Sequence, residues 1–273
     1  MPEKTRLDIA LVEKGLAPSR EKAKRLIQAD AVSVDGKIQN KAGFWVTEES
    51  EITLLFHPFR YVSRGGLKLE KMLQKQGIDL TGKVCIDIGA SSGGFTDCML
   101  QNHAERVYAV DVGSDQLDQK LREDPRVVNM EHTNIRYLKK EELSDTISFG
   151  SVDVSFISLT LVLPVLYDLL EECGEAICLV KPQFEAGKGK VGKNGVVKDK
   201  AVHCEVLERV IGFSDSLGFG VKDMDFSPIT GPEGNVEYLI YLKKEQTEQA
   251  VTKESVRSVV ESAHLHFQHK GKK

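Results

Sequence analysis

The stretch Val84-Cys85-Ile86-Asp87-Ile88-Gly89-Ala90-Ser91-Ser92-Gly93-Gly94-Phe95-Thr96 decides the fold. A short apolar run of strand type ends in an Asp, a glycine turn follows, and an amphipathic helix (Phe95 to Gln101) begins behind it. This order is the ligand-cradling turn of a Rossmann-like sheet: glycines let the backbone approach a ligand, and a helix N-terminus lies beside it. The glycine spacing narrows the ligand. A dinucleotide fingerprint needs glycine where this chain has Ser91, and a P-loop needs a Gly-Lys-Ser/Thr ending that is absent. A second acid, Asp111, closes the next strand (Tyr108-Ala109-Val110) and suits hydroxyls of an uncharged ribose better than a pyrophosphate.

Outward from this turn, from Tyr61 onward, helices and strands alternate, the pattern of a doubly wound parallel sheet. Ser63-Arg64-Gly65-Gly66 opens a helix running to Gly77. Strands are expected at Val84–Ile88, Val107–Val110, Val127–Met130, Ile147–Val154, Ala176–Val180, Gly220–Ser227 and Val236–Leu242. Helices are expected at Phe95–Gln101, Gln116–Arg122, Leu161–Glu172 and Ala201–Leu217. The glycine- and lysine-rich run from Gly187 to Lys200 reads as a mobile, positive loop.

Before Tyr61 the pattern is different. Leu7 to Leu16 is a short amphipathic helix ended by Gly15, and Ser19 caps a second helix that starts Arg20-Glu21-Lys22-Ala23-Lys24-Arg25. Ala31–Val34, the turn Asp35-Gly36 and Lys37-Ile38 form a hairpin, and Ile52–Phe56 adds a strand before His57-Pro58. The organisation is therefore a small α+β domain over residues 1–58, an α/β domain over 59–245 and a C-terminal helix or tail over 246–273.

Bulk properties set limits. The 273 residues carry 37 Lys+Arg and 41 Asp+Glu, a net charge of −4, so nothing marks the whole chain as a polyanion binder. Residues 1–45 depart from this, with nine Lys/Arg against six acids. The five cysteines show no C-x-x-C pairing, and most lie in apolar runs, as expected of buried free thiols in a reducing cytoplasm. The charged N-terminus lacks a signal-peptide pattern, and the most apolar region, Phe156 to Leu170, is interrupted by Pro164 and Asp168 and too short to span a bilayer. The loosely spaced histidines from His264 onward read as a helix end rather than a metal site.

In an open α/β sheet ligands bind outside the carboxyl ends of the strands. Those ends carry Asp87, Asp111, a polar set from Glu131 to Asn134, Asp153 and Lys181. A lysine closing the apolar run Ile177-Cys178-Leu179-Val180 is costly to bury unless a carboxylate or a reaction uses it. Lys68, on the helix entering the domain, and Glu237, within the last strand, complete a Lys–Asp–Lys–Glu set.

These residues resemble the tetrad of FtsJ-type ribose 2′-O-methyltransferases, and Asp87-Ile88-Gly89 with Gly93-Gly94-Phe95 resembles the S-adenosylmethionine (SAM) turn of class I methyltransferases. One departure is Ser92, where those enzymes usually carry proline. The segments Leu7-Asp8, Pro18 to Ala23 and Val32 to Lys37 resemble the RNA-binding fold of ribosomal small-subunit protein four (the S4 domain). Together with Tyr61 to Leu69, Asp153 to Leu159, Lys181 to Glu185 and Ser227 to Glu237, they make the chain similar to the TlyA or haemolysin A family.

The resemblance implies SAM-dependent 2′-O-methylation of a cytidine ribose, with ribosomal RNA or ribosomal subunits as partner and no membrane or metal. It implies Lys68, Asp153, Lys181 and Glu237 as catalytic, with Lys181 handling the hydroxyl proton. Asp87, Gly89, Ser91, Gly93, Gly94, Phe95, Asp111 and Asn134 would form the SAM site. The basic residues Arg6, Arg20, Lys22, Lys24, Arg25, Lys37, Arg64, Lys188, Lys190 and Lys193 are the candidates for RNA phosphates. Two mutually repelling, partly buried lysines would let one of them lose its proton near neutrality. Base N-methylation is disfavoured because the fourth strand leads into Asp153-Val154-Ser155-Phe156 rather than an Asn/Asp-Pro-Pro-aromatic turn. Pyrimidine C5 methylation lacks a cysteine there. An RNA-binding assembly factor with an inert methyltransferase fold, or a haemolysin, are the alternatives.

Overall fold

The structure, a computed structural model, describes residues 4–28, 31–54, 60–187, 189–192, 194–231, 233–245 and 250–270. The chain divides into two compact units, Met1–Arg60 and Tyr61–Lys273.

In the first unit, β1 (Lys4–Arg6) leads into α1 (Leu7–Glu13) and α2 (Arg20–Gln28), followed by β2 (Val32–Val34), β3 (Lys37–Ile38), β4 (Trp45–Thr47) and β5 (Ile52–Leu54). Leu7, Leu11, Ala23, Ile27 and Val32 bury the facing sides of the helices and hairpin in one small core. Asp35 (φ 49°) and Gly36 (φ 75°) are both left-handed, as a two-residue hairpin turn of the primed type requires. The pairing of β1 with β4 is not visible in the sequence, since two three-residue strands leave no period to read. Phe56, expected in the last strand, lies outside the described residues.

The second unit runs α3 (Gly66–Gln76), β6 (Val84–Ile88), α4 (Gly94–Gln101), β7 (Arg106–Val110), α5 (Gln119–Arg122), β8 (Val127–Met130), β9 (Ile147–Val152), α6 (Leu163–Leu169), β10 (Leu170–Val180), α7 (Pro182–Glu185), α8 (Lys200–Ser216), β11 (Gly220–Phe226), β12 (Tyr238–Lys243) and α9 (Lys253–Lys270). The seven-stranded sheet has the order β11-β12-β10-β9-β6-β7-β8. Its β10, β9, β6, β7 and β8 are parallel, and β12 is antiparallel to both neighbours. Strand order reverses between β6 and β9, the switch point where such sheets open a ligand crevice. Apolar side chains on both faces of the sheet form two large clusters.

Several expectations are corrected. The apolar run Leu161–Glu172 is not one helix: α6 stops at Leu169 and the chain enters β10 at once, through an irregularity between Leu170 and Glu175 that includes left-handed Cys173 (φ 61°). Cys173 is exposed, whereas Cys85, Cys98 and Cys178 are buried. The helix expected from Gln116 starts only at Gln119, because the Gln116 and Leu117 backbone N–H groups donate to Glu131 Oε1. Glu237 precedes β12 instead of lying inside it. The expected C-terminal helix is present as α9, which packs on α8 and β11 and buries Val256, Val260 and Ala263, and the His264 ring lies 4.9 Å from that of His203. Among the described residues, no helix is long and apolar enough to cross a membrane.

Candidate active site

The sheet itself gathers the four candidate residues. Asp153 follows β9 and Lys181 follows β10, its neighbour. Because β12 runs antiparallel and pairs Tyr238 with Val180, the residue before Tyr238 comes to the same edge, and that residue is Glu237. Lys68, in the first turn of α3, reaches in from outside the sheet.

Lys68 Nζ donates to Glu237 Oε2 at 2.6 Å and lies 3.7 Å from Asp153 Oδ2. Lys181 Nζ lies 2.5 Å from Asp153 Oδ1 and donates to Ser155 Oγ at 3.0 Å. Lys68, Lys181 and Glu237 are 8%, 9% and 1% exposed. The charges therefore alternate as Glu237–Lys68–Asp153–Lys181. This corrects the expectation of two lysines repelling each other, since a carboxylate stands between them. Burial opposes the charge on Lys68, but attraction to Asp153 and Glu237 outweighs it and holds its pKa above the ordinary lysine value. Lys68 is thus held as an ammonium between the two carboxylates.

The glycine turn sits beside this row. Gly89 is left-handed (φ 86°), and a Cβ there would meet Asp153 O at 2.5 Å, so glycine is what lets the turn lie against the β9 loop. At Gly93 and Gly94 the space a Cβ would take is occupied by neighbouring residues. A Cβ on Gly93 would strike Leu121 and Leu117, and one on Gly94 would strike Ser63 Oγ and the Gly66 backbone. The Phe95 side chain is buried in the core, leaving its backbone at the helix N-terminus as the part able to face a ligand. Asp111 binds the turn from the next strand: Oδ2 accepts from Ser91 N (2.8 Å) and Oδ1 from Gly113 N (2.7 Å), so each oxygen keeps acceptor capacity. Asn134 Oδ1 accepts from Arg136 N and caps the short turn after β8.

Asp87 is fully buried beneath the turn, where Thr96 Oγ1 (2.7 Å) and Ser151 Oγ (2.9 Å) donate to its carboxylate. Burial pushes its pKa up to about 6, partly offset by those hydroxyls. An unfolded Asp titrates near 3.8, so between about pH 4 and 6 the folded state holds a proton that the unfolded chain has lost. The contribution of Asp87 to stability falls as pH rises through that window, by roughly 3 kcal/mol for a shift of about two units, and stays flat above it. Asp87→Asn should lack this decline. The difference in urea-unfolding free energy between parent and variant, followed from pH 4 to 7, checks it.

Ser155, Phe156 and Glu185, not among the expected site residues, are brought to the site by the structure. Phe156 is 90% exposed, left-handed (φ 63°) and 4.8 Å centroid to centroid from Phe184. Phe156 thus presents a large aromatic side chain on a strained backbone three residues after Asp153. Glu185 is 6% exposed on α7.

In the first unit the basic candidates are unevenly engaged. Arg6 Nε and Arg20 Nη2 each lie 2.9 Å from buried Asp8. Burial raises the Asp8 pKa, but hydrogen bonds from the two arginines outweigh it and hold the carboxyl below the ordinary range. Arg25 pairs with Glu21 one helical turn back, at 2.6 Å. Lys24 and Lys37 are exposed, and Lys22 is half-buried. In the second unit, Arg64 is exposed and Lys190 pairs with Glu205 at 2.5 Å. Lys188 and Lys193 lie outside the described residues.

The chain matches the FtsJ-like methyltransferase family over residues 61–244 and the S4 domain over residues 5–52. It is 50% identical over 266 residues to the YqxC protein of Bacillus subtilis, across 96% of this chain and 95% of that one. It is 40% identical over 264 residues to the 16S/23S rRNA (cytidine-2′-O)-methyltransferase TlyA of Mycobacterium tuberculosis, across 96% and 98%. A solved structure from Streptococcus thermophilus, named as a haemolysin, superposes with a TM-score of 0.79 at 46% identity and covers 100% of both chains. With both family matches in chain order and relatives aligned over nearly its whole length, the chain belongs to the TlyA/haemolysin A family of FtsJ-like methyltransferases with an N-terminal S4 domain.

Proposed function

We propose that this protein transfers a methyl group from SAM to the 2′-hydroxyl of a cytidine in ribosomal RNA. The observation that carries the reading is the alternating Glu237–Lys68–Asp153–Lys181 row at the switch point, against the glycine turn. A ribose hydroxyl is a weak acid, so its proton must be accepted or steered as the methyl arrives. The row supplies one fixed ammonium, Lys68, and one lysine, Lys181, whose contacts an incoming hydroxyl can replace. Asp153 and Glu237 hold the two ammonium groups in place. Most of the acceleration comes from aligning the reacting atoms, an effect that can reach about 7–11 kcal/mol.

The residues present fit SAM. Asp111 offers two acceptor oxygens at the end of β7 for vicinal hydroxyls, with Ser91 and the Gly89 turn beside it. When bound, SAM supplies an electrophilic methyl on a sulfonium. Asp87 shapes the turn from below, and Asn134 lies on the loop after β8 where an adenine would be held. Asp111→Ala should weaken SAM binding by roughly 1.5–3 kcal/mol with the fold intact, because hydrogen bonds to a charged acceptor have that strength. Unchanged affinity by calorimetry would remove Asp111 from the site. Exposed Phe156 offers a face on which a nucleobase can stack.

The S4 domain supplies phosphate contacts, with Lys24 and Lys37 the exposed candidates that form no ion pair among the described residues. Replacing both by alanine should lower the slope of log affinity against log salt by about one to two, as expected when that many phosphate contacts are lost. SAM affinity should not move. A salt slope equal to the parent's would show that neither lysine meets a phosphate. The function as a whole is tested by incubating the full chain with labelled SAM and ribosomal subunits. Label should enter rRNA, whereas an inert fold or a haemolysin would leave it unmodified.

A further inference from the structure

Glu185 has no place in the reaction just described, yet it is a buried carboxylate within five residues of Lys181. Its Oε1 accepts from Leu159 N at 2.7 Å, and its Oε2 accepts from Ser158 Oγ at 2.8 Å. Arg209 on α8 donates through Nη2 to the Glu185 backbone carbonyl and, at 3.4 Å, to Oε2. Ser158 and Leu159 end the strap that leaves β9 at Asp153 and carries Ser155 and Phe156. The strap's start is fixed separately, by Asp153 N donating to Ile88 O.

The two segments 153–159 and 181–185 therefore meet at successive points. Lys181 meets Asp153 and Ser155, Phe184 meets Phe156, and Glu185 meets Ser158 and Leu159. Only the last of these uses a buried charge without a reactive role. Burying a carboxylate is costly, and an all-apolar contact between the two segments would serve the core as well. What the carboxylate adds is direction: two acceptor oxygens fix both the backbone and the side chain at the end of a strap whose middle is held in a left-handed conformation.

We infer that Glu185 is a positioning residue, a brace that sets the strap bearing Asp153, Ser155 and Phe156 in register with Lys181. The inference rests on the tetrad reading above. A misplacement of about 1 Å at a reacting centre can cost on the order of a hundredfold in rate, so loss of the brace should appear in turnover before it appears in folding.

The test uses the full chain with four variants: Glu185→Gln, Glu185→Met, Arg209→Ala and Lys181→Ala. Methyl transfer to ribosomal subunits gives kcat and KM for RNA, calorimetry gives SAM affinity, and thermal unfolding reports the fold. Glutamine can accept from Leu159 N through its oxygen and donate to Ser158 Oγ through its amide, so Glu185→Gln should keep kcat within about fivefold of the parent. Methionine fills the space without either bond. Glu185→Met should stay folded at a somewhat lower unfolding temperature, because the buried Leu159 N–H loses its acceptor, bind SAM within about twofold of the parent, and lose about 30- to 100-fold in kcat. Arg209→Ala should fall between the two. A Glu185→Met enzyme with parental kcat, beside an inactive Lys181→Ala, would overturn the brace and leave the tetrad standing. Turnover retained by Lys181→Ala would remove the tetrad reading, and the brace with it.

Discussion

Lys181→Ala should abolish methyl transfer, a loss of about a thousandfold or more, because it removes proton handling and disturbs acceptor alignment together. SAM binding should persist, since the turn from Gly89 to Gly94 and Asp111 are untouched. Lys181→Arg should fail nearly as completely. A guanidinium keeps its proton at any pH the protein survives, and its planar fork cannot replace an ammonium placed 2.5 Å from Asp153 and 3.0 Å from Ser155. Single-turnover methylation at saturating SAM and RNA separates the outcomes. An arginine variant at near-parental rate would mean that positive charge suffices and that the proton leaves to solvent.

Lys68→Met should be the most destabilising single change in the site. It strands Glu237, 1% exposed, without its 2.6 Å cation partner, and breaking a buried pair from one side costs about 3–5 kcal/mol. Adding Glu237→Gln removes the stranded charge, so the double variant should recover most of that stability. Activity should not return, because Asp153 then lacks the second ammonium that holds it. Denaturant unfolding of the parent, both single variants and the double variant gives the coupling directly. Recovery of stability without recovery of turnover separates what the pair does for the fold from what it does for the reaction. If Lys68→Met were as stable as the parent, the pair would be more accessible to water than its burial indicates.

Much of this site was legible from the chain because parallel strands bring their carboxyl ends to one edge. Asp111, Asp153 and Lys181 could each be placed by finding where an apolar run stops, whereas Asp87 lies inside β6 with its carboxylate held by Thr96 and Ser151. Glu237 was found for a partly mistaken reason. It looked like an acid inside a strand, but it stands just before one, and the antiparallel direction of β12 is what delivers it to the same edge. Charges could be read, but not their pairing. Arg6 and Arg20 look like phosphate ligands in the sequence and are held by Asp8, since a salt bridge across a helix pair leaves no local trace.

The glycines show a similar limit. A glycine-rich turn announces close approach without saying to what, and at Gly93 and Gly94 the neighbours are Leu121, Leu117 and Ser63. Glu185 and Phe156 were silent because their meaning lies in partners about 26–28 residues away, Ser158 and Leu159 for one and Phe184 for the other. The α6–β10 junction was missed because Leu161–Glu172 keeps a helical apolar spacing past the point where β9 claims Leu170 as a strand partner.

The methyl acceptor we propose is a ribose oxygen rather than a base atom. A 2′-O-methyl group blocks alkaline cleavage of the adjacent phosphodiester, whereas a methylated base does not. Ribosomal RNA modified by the purified full-length protein with labelled SAM should therefore be hydrolysed in alkali and its labelled fragment identified by mass spectrometry. The expected product is an alkali-resistant dinucleotide carrying 2′-O-methylcytidine, absent from the Lys181→Ala reaction; label recovered in mononucleotides as a methylated base would overturn the ribose assignment.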